Sequence, residues 1–235
     1  MSFSTLLLSV WMVAAPAAPA SFVAPAEPVG YFCTTPGKTL RCERYAPDMK
    51  KHWWTQTTRI DAVQARQDGG LDVSFTMTIV SDKAKAGVKG PVNSKVLVRA
   101  NGELVVDIAE AAGIAASQMF SAFNFESSGD PSVLPADAQV GDELKDIHAV
   151  VSWKGIKFTL DYTERRVLRR EKLTVPAGTF DCIVVYEHKL EKAPLHKRDR
   201  ITLTWYALGV GMVRHDTFFA DGRLECTEQL AEIAP

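Results

Sequence analysis

Four cysteines and five histidines are the residues of this chain whose types and spacing bear most directly on chemistry. Cys33, Cys42, Cys182 and Cys226 include no C-x-x-C, which argues against a zinc knuckle or a thioredoxin-like redox pair. His52, His148, His188, His196 and His215 are scattered, and none falls in H-E-x-x-H or another metal spacing. His188 and His196 could face each other across a hairpin, but solvated strand histidines are the expected outcome. A nucleophilic serine is usually announced by a G-x-S-x-G elbow, and the chain has neither that nor a P-loop. Gly209-Val210-Gly211 lacks the third glycine of a dinucleotide site. No catalytic, cofactor-binding or metal-ligating residue is therefore assigned, and no enzymatic activity is expected. A hydrolase with an unannounced Ser/His/Asp arrangement is the least favoured reading.

Cys182 poses the sharpest choice, between a reactive thiol and a structural group. It follows Val175-Pro176-Ala177-Gly178, a type I turn with proline setting φ and glycine closing it. A strand starting at Thr179 puts Phe180, Cys182, Val184 and Tyr186 on one face, so the thiol points into the core. A reactive thiol needs exposure and a nearby base or cation. The structural reading wins. An even count of cysteines favours two disulfides, with three possible pairings; a bridge of Cys33 to Cys42 across the Pro36-Gly37 turn would leave Cys182 with Cys226. Closing about 10 and about 45 residues, they would contribute roughly 2.7 and 4 kcal/mol in the loop-entropy picture.

Two further clusters invite a ligand. Arg165, Arg166, Arg169, Arg170 and Lys172 form the densest basic run, but strand spacing spreads them over both faces. They read as solvated edge-strand charges, which also discourage edge-to-edge aggregation, with an anionic envelope ligand as the alternative. Trp53-Trp54 reads as one core and one half-exposed tryptophan, since adjacent strand residues point opposite ways.

The elements that position these residues are mostly strands. Leu71 to Ile79 alternates apolar and polar residues without a break. Asn101-Gly102, Lys154-Gly155 and Asp221-Gly222 each separate two strand-like runs, marking three hairpins. Trp205 to Met212 reads as strand, tight corner and strand, with Gly209 and Gly211 supplying positive φ or close backbone approach. Residues 109–123 alone recur at helical spacing, with Asp107 as cap and Gly113 as a weak point. Asn124 to Gln139 reads as a polar loop. About twelve strands and one helix imply a mainly β fold, a strongly curved antiparallel sheet or open barrel with the helix covering its mouth.

With 235 residues, 23% charged and a net charge of -1, the chain has one ordinary globular core and no bulk charge to attract nucleic acid or anionic lipid. Leu6 to Ala15 is a short apolar run followed by Ala18-Pro19-Ala20 and Ala24-Pro25-Ala26, the pattern of a signal peptide cleaved after Ala20 or Ala26. The expected organisation is a signal peptide over 1–20, a Pro/Ala-rich leader over 21–28 and one β-rich domain over 29–233. The expected location is periplasmic or extracellular, with no transmembrane segment in the mature chain.

Val175-Pro176-Ala177-Gly178-Thr179-Phe180-Asp181-Cys182 and Thr204-Trp205-Tyr206-Ala207-Leu208-Gly209-Val210-Gly211-Met212-Val213-Arg214 resemble the bacterial domain-of-unknown-function family 3108 and its TapB-like relatives. Leu134-Pro135, Val140 to Asp146 and Asp221 to Leu224 extend the resemblance over about residues 29 to 233. It implies an exported protein with no assigned catalytic residue and no cofactor. Its fold would be similar to the curved sheets of periplasmic lipoprotein carriers, which hold acyl chains in the concave face. The leading expectation is an envelope protein binding an apolar or lipid-like ligand in that face. The alternative is an interaction or assembly module reading an envelope partner through a strand edge or the 124–139 loop.

Overall fold

The computed structural model describes residues 29–81, 90–119 and 124–235. The signal-peptide and leader readings fall on residues 1–28, outside the described residues. From the N-terminal side come β1 (Thr39–Tyr45), β2 (His52–Ala65), β3 (Leu71–Ser81), β4 (Val92–Val98) and β5 (Leu104–Asp107), then α1 (Ile108–Met119). After it come the short β6 (Glu126–Gly129) and β7 (Pro131–Leu134), then β8 (Ile147–Trp153) and β9 (Ile156–Val175). The last four are β10 (Gly178–Ala193), β11 (His196–Ala207), β12 (Gly211–Phe219) and β13 (Leu224–Ala234). All thirteen strands of the described residues form one antiparallel sheet, in the order β6-β8-β9-β10-β11-β12-β13-β1-β2-β3-β4-β5-β7.

The two edges of that sheet, β6 and β7, are joined by Asp130 alone, so the sheet curls into a nearly closed barrel. Closure is completed by an irregular segment rather than by a ladder. Gly141 and Leu144 donate backbone N–H bonds to Val167 and Arg165 of β9, each at 2.8 Å. The segment expected to be a polar loop thus contains both edge strands. Its Ser-Ser-Gly run is too short and polar to show a strand period. Gly129 is required there, because a Cβ would sit 2.5 Å from the His148 carbonyl oxygen.

Hairpins alternate between the two ends of the barrel, and each end is covered differently. At one end residues 29–38 form a strap lying against the β4–β5 and β11–β12 turns. Gly209 donates its N–H to the Gly30 carbonyl at 2.8 Å, and a Cβ on Gly102 would lie 2.5 Å from the Val29 oxygen. Gly209 and Gly211 take φ of 70° and 105°, so the corner has both the positive φ and the close approach expected of it. The strap buries Tyr31 against Tyr206, and a dry core of Val73, Val98, Val167, Ile183 and Leu230 fills this half.

At the opposite end α1 packs against β6 and β8. Asp107 caps it, accepting the Glu110 N–H at 2.8 Å. Gly113 weakens the helix but lets it lie close: a Cβ there would be 3.0 Å from the Ser127 hydroxyl. The helix begins where its periodicity predicts, while residues 120–123 of the expected span lie outside the described residues.

Candidate functional site

Directly opposite residues in an antiparallel ladder share a face. The register Val185–Thr204–His215–Glu228–Arg44–Trp54 therefore runs round the inside of the barrel across six strands. This belt is polar. Arg44 meets Glu228 at 2.7 Å, Arg200 meets Glu225 at 2.6 Å, and Lys189 meets Glu191 at 2.7 Å. The strap end of the barrel is solid; the α1 end is hollow.

The larger hollow, about 540 Å³, lies between α1, the ends of β8 and β10 and the starts of β9 and β11. Ile108, Ala112, Ala115, Val151, Phe158 and Leu160 give it apolar walls. Small side chains on α1 leave the space that Leu or Phe would fill. Lys189, Lys192 and His196 stand on its polar side, and the buried Thr159 hydroxyl in its lining has no hydrogen-bond partner among the described residues. Burial opposes the Lys189 charge, but Tyr162 and Glu191 beside it outweigh that and hold its pKa above the ordinary value.

A second hollow of about 250 Å³ shares Lys189 and Glu191 with the first and continues between Arg44, Trp53, Trp54 and His215. Both tryptophans reach it because β1 and β2 slip register at Arg44/Tyr45, leaving Trp53 unpaired. Strict alternation fails at such a bulge, which is why the expected core-and-surface split does not occur. Arg44 stacks over Trp54 at 4.1 Å. Burial, with Arg44 and Lys189 nearby, pushes the His215 imidazole down to about 3, and its Nδ1 lies 2.8 Å from the Thr204 hydroxyl.

The cysteines are not stapled. All four are buried, separate thiols. Cys182 on β10 and Cys226 on β13 have two strands between them, about 14 Å along the sheet, whereas a disulfide needs Cα atoms within about 7 Å. Cys33 lies in the strap rather than in a hairpin with β1, and Cys42 pairs with Leu230 and Gln56. Burial pushes the Cys42 thiol up to about 12 and the Cys182 thiol up to about 11. Cys182 to Val185 are all buried, so β10 is covered on both faces and one-sided alternation does not apply. Pro176 and Gly178 form the expected β9–β10 turn, with Gly178 at φ 140°. Trp205 is buried, gives its N–H to Glu171, and has Arg214 over its ring at 5.2 Å.

The basic run departs most from expectation. β9 is an internal strand, and Arg165 is buried rather than solvated. Its Nε donates to Glu187 at 2.7 Å, Nη1 to the Lys145 carbonyl at 2.6 Å and Nη2 to the Ser132 hydroxyl at 3.0 Å. Arg165 thereby laces β9 to β7 across the closing seam. Arg170 donates to the Ala138 carbonyl at 2.5 Å, while Arg169 is exposed and Arg166 is half-buried over the Tyr186 ring.

An outer cleft of about 350 Å³ is lined by the His148–Asp161 pair, at 2.5 Å, and by His188, which meets Asp199 at 2.7 Å. A threonine hydroxyl, Thr163, lies 3.4 Å from His188, and no serine or cysteine among the described residues lines that cleft. His196 pairs with Ala193, not with His188, whose ladder partner is Ile201. No group of three metal-binding side chains occurs among the described residues. No helix among them is long and apolar enough to cross a membrane.

The fold is shared with two crystal structures. A Bacteroides fragilis protein with a YmcC-like fold, described as exported, matches with TM-score 0.70 and 18% identity, over 88% of this chain and 100% of that one. A Parabacteroides distasonis protein described as a lipoprotein matches with TM-score 0.70 and 17% identity, over 88% of this chain and 99% of that one. A search of curated proteins returns no match. A match over residues 35–230 places the chain in the DUF3108-like family.

Proposed function

We propose that this is an exported, non-catalytic envelope protein that holds an amphiphile, its apolar chain in the hollow under α1. The carrying observation is that hollow: about 540 Å³, walled by apolar side chains at one end of a barrel whose other end is solid. Ligand sites commonly span about 300–1,000 Å³ and combine apolar walls with a few polar groups. Here Lys192, His196 and the unpartnered Thr159 hydroxyl supply those groups. The signal-peptide pattern, and the descriptions of the two structures sharing the fold, support location in the envelope.

Titration with a fluorescent fatty acid tests the reading. The wild-type chain is expected to bind it saturably, and Ala115→Phe, which fills the hollow, to abolish binding while the thermal midpoint stays within a few degrees. Equal binding by both chains, or none by either, refutes it.

A further inference from the structure

The balanced net charge conceals a marked polarity along the barrel. Four described hairpin tips stand at the α1 end, spanning residues 46–51, 153–157, 192–198 and 220–223. They carry eight Lys and Arg against two acids, Asp48 and Asp221. The tips at the strap end, residues 66–70, 99–103, 176–177 and 208–210, carry two against two. Lys50, Lys51, Lys154 and Lys157 are exposed and make no ion pair among the described residues. The same α1-end tips hold large apolar side chains in water: Leu195 is 108% exposed, and Met49 and Ile156 are each 40% exposed.

Their backbones make this placement more pointed. Met49, Lys154 and Leu195 have φ of 57°, 47° and 64°, the left-handed region that turns ordinarily give to Gly, Asn or Asp. An exposed leucine at such a position gains nothing from the fold of its own chain. Apolar tips set among unpaired lysines match an interface with hydrocarbon below and negative charge above.

We infer that the α1 end of the barrel docks onto an anionic phospholipid surface, with Leu195 and Ile156 entering the headgroup layer and the flanking lysines meeting lipid phosphates. Ala193 and His196, beside Leu195, line the apolar hollow, so docking turns the hollow toward the membrane. The docking rests on the tips and stands whether or not the hollow holds a ligand.

Co-sedimentation of the full chain with vesicles tests it, using phosphatidylcholine with and without phosphatidylglycerol. Residues 6–15 are common to every variant, so their contribution cancels in the comparison. Binding is expected to require the anionic lipid and to fall with added salt. Lys154→Gln/Lys157→Gln is expected to weaken it by roughly 25-fold, at roughly fivefold per lysine. Leu195→Asp should weaken it at least as strongly as one lysine. The strap-end control Arg66→Gln/Arg99→Gln should bind like wild type. These side chains are exposed, and unchanged circular dichroism confirms folding. Overturning results are equal binding to neutral vesicles, or tip variants that bind like the wild type. Fatty-acid titration of the tip variants separates the two proposals, since docking can be lost while the hollow still binds.

Discussion

Replacing Arg165 by Met probes the lacing of the barrel seam. The Arg165 side chain is 3% exposed and that of Glu187 is 11% exposed, so the variant strands a carboxylate with little access to water. It also removes the donors that serve the Lys145 carbonyl and the Ser132 hydroxyl. Breaking a buried pair by removing one partner costs about 3–5 kcal/mol. At about 2–4 °C per kcal/mol for a domain of this size, the thermal midpoint should fall by about 6–20 °C. The double variant Arg165→Met/Glu187→Leu removes the stranded charge and should regain more than half of that loss, because apolar replacements of buried pairs are often near neutral. Circular dichroism melts and urea titrations of the three chains measure both effects. A single variant within about 0.5 kcal/mol of wild type, the range of ordinary surface changes, would refute the buried-lacing argument. So would a double variant less stable than the single.

Three other outcomes follow from the same structure. With His215 pushed down to about 3 from 6.5, the unfolded chain binds its proton first as pH falls, so stability is full above pH 6.5 and declines below it. At pH 4.5 this group costs up to about 2.7 kcal/mol, and His215→Gln should show correspondingly less acid destabilisation in urea titrations. The four buried thiols should react with an aromatic disulfide reagent only after unfolding, and a reductant should leave the thermal midpoint unchanged; a reductant-sensitive midpoint would restore the disulfides. Gly102→Ala meets φ of 81° and a 2.5 Å clash with the strap, and should cost on the order of 1–3 kcal/mol by urea titration.

Local turn chemistry was the most legible part of this chain. Lys154-Gly155 and Asp221-Gly222 mark real hairpins, and Asp107 is a real helix cap, because each is decided within a few residues. The Gly209/Gly211 corner was legible as a corner, but not that the strap crosses it. What failed depends on closure. A barrel with a polar interior makes inward and outward faces look alike, so Arg165 read as surface charge, and no motif marked the buried Arg44–Glu228 pair. Disulfide pairing failed for a related reason: spacing along the chain says nothing about how many strands come between Cys182 and Cys226. The hollow was foreseeable from a curled sheet and the alanines of α1, though its polar residues lie on strands with no motif. The docking tips were hidden by the balanced total charge, since only the alternation of hairpins shows which lysines share an end.

The most direct test is diffraction from crystals soaked with a brominated fatty acid. The account predicts an anomalous bromine peak between Ala112 and Ala115 of α1 and Phe158 and Leu160 of β9. Finding those side chains packed against one another, with no bromine between them, would contradict it.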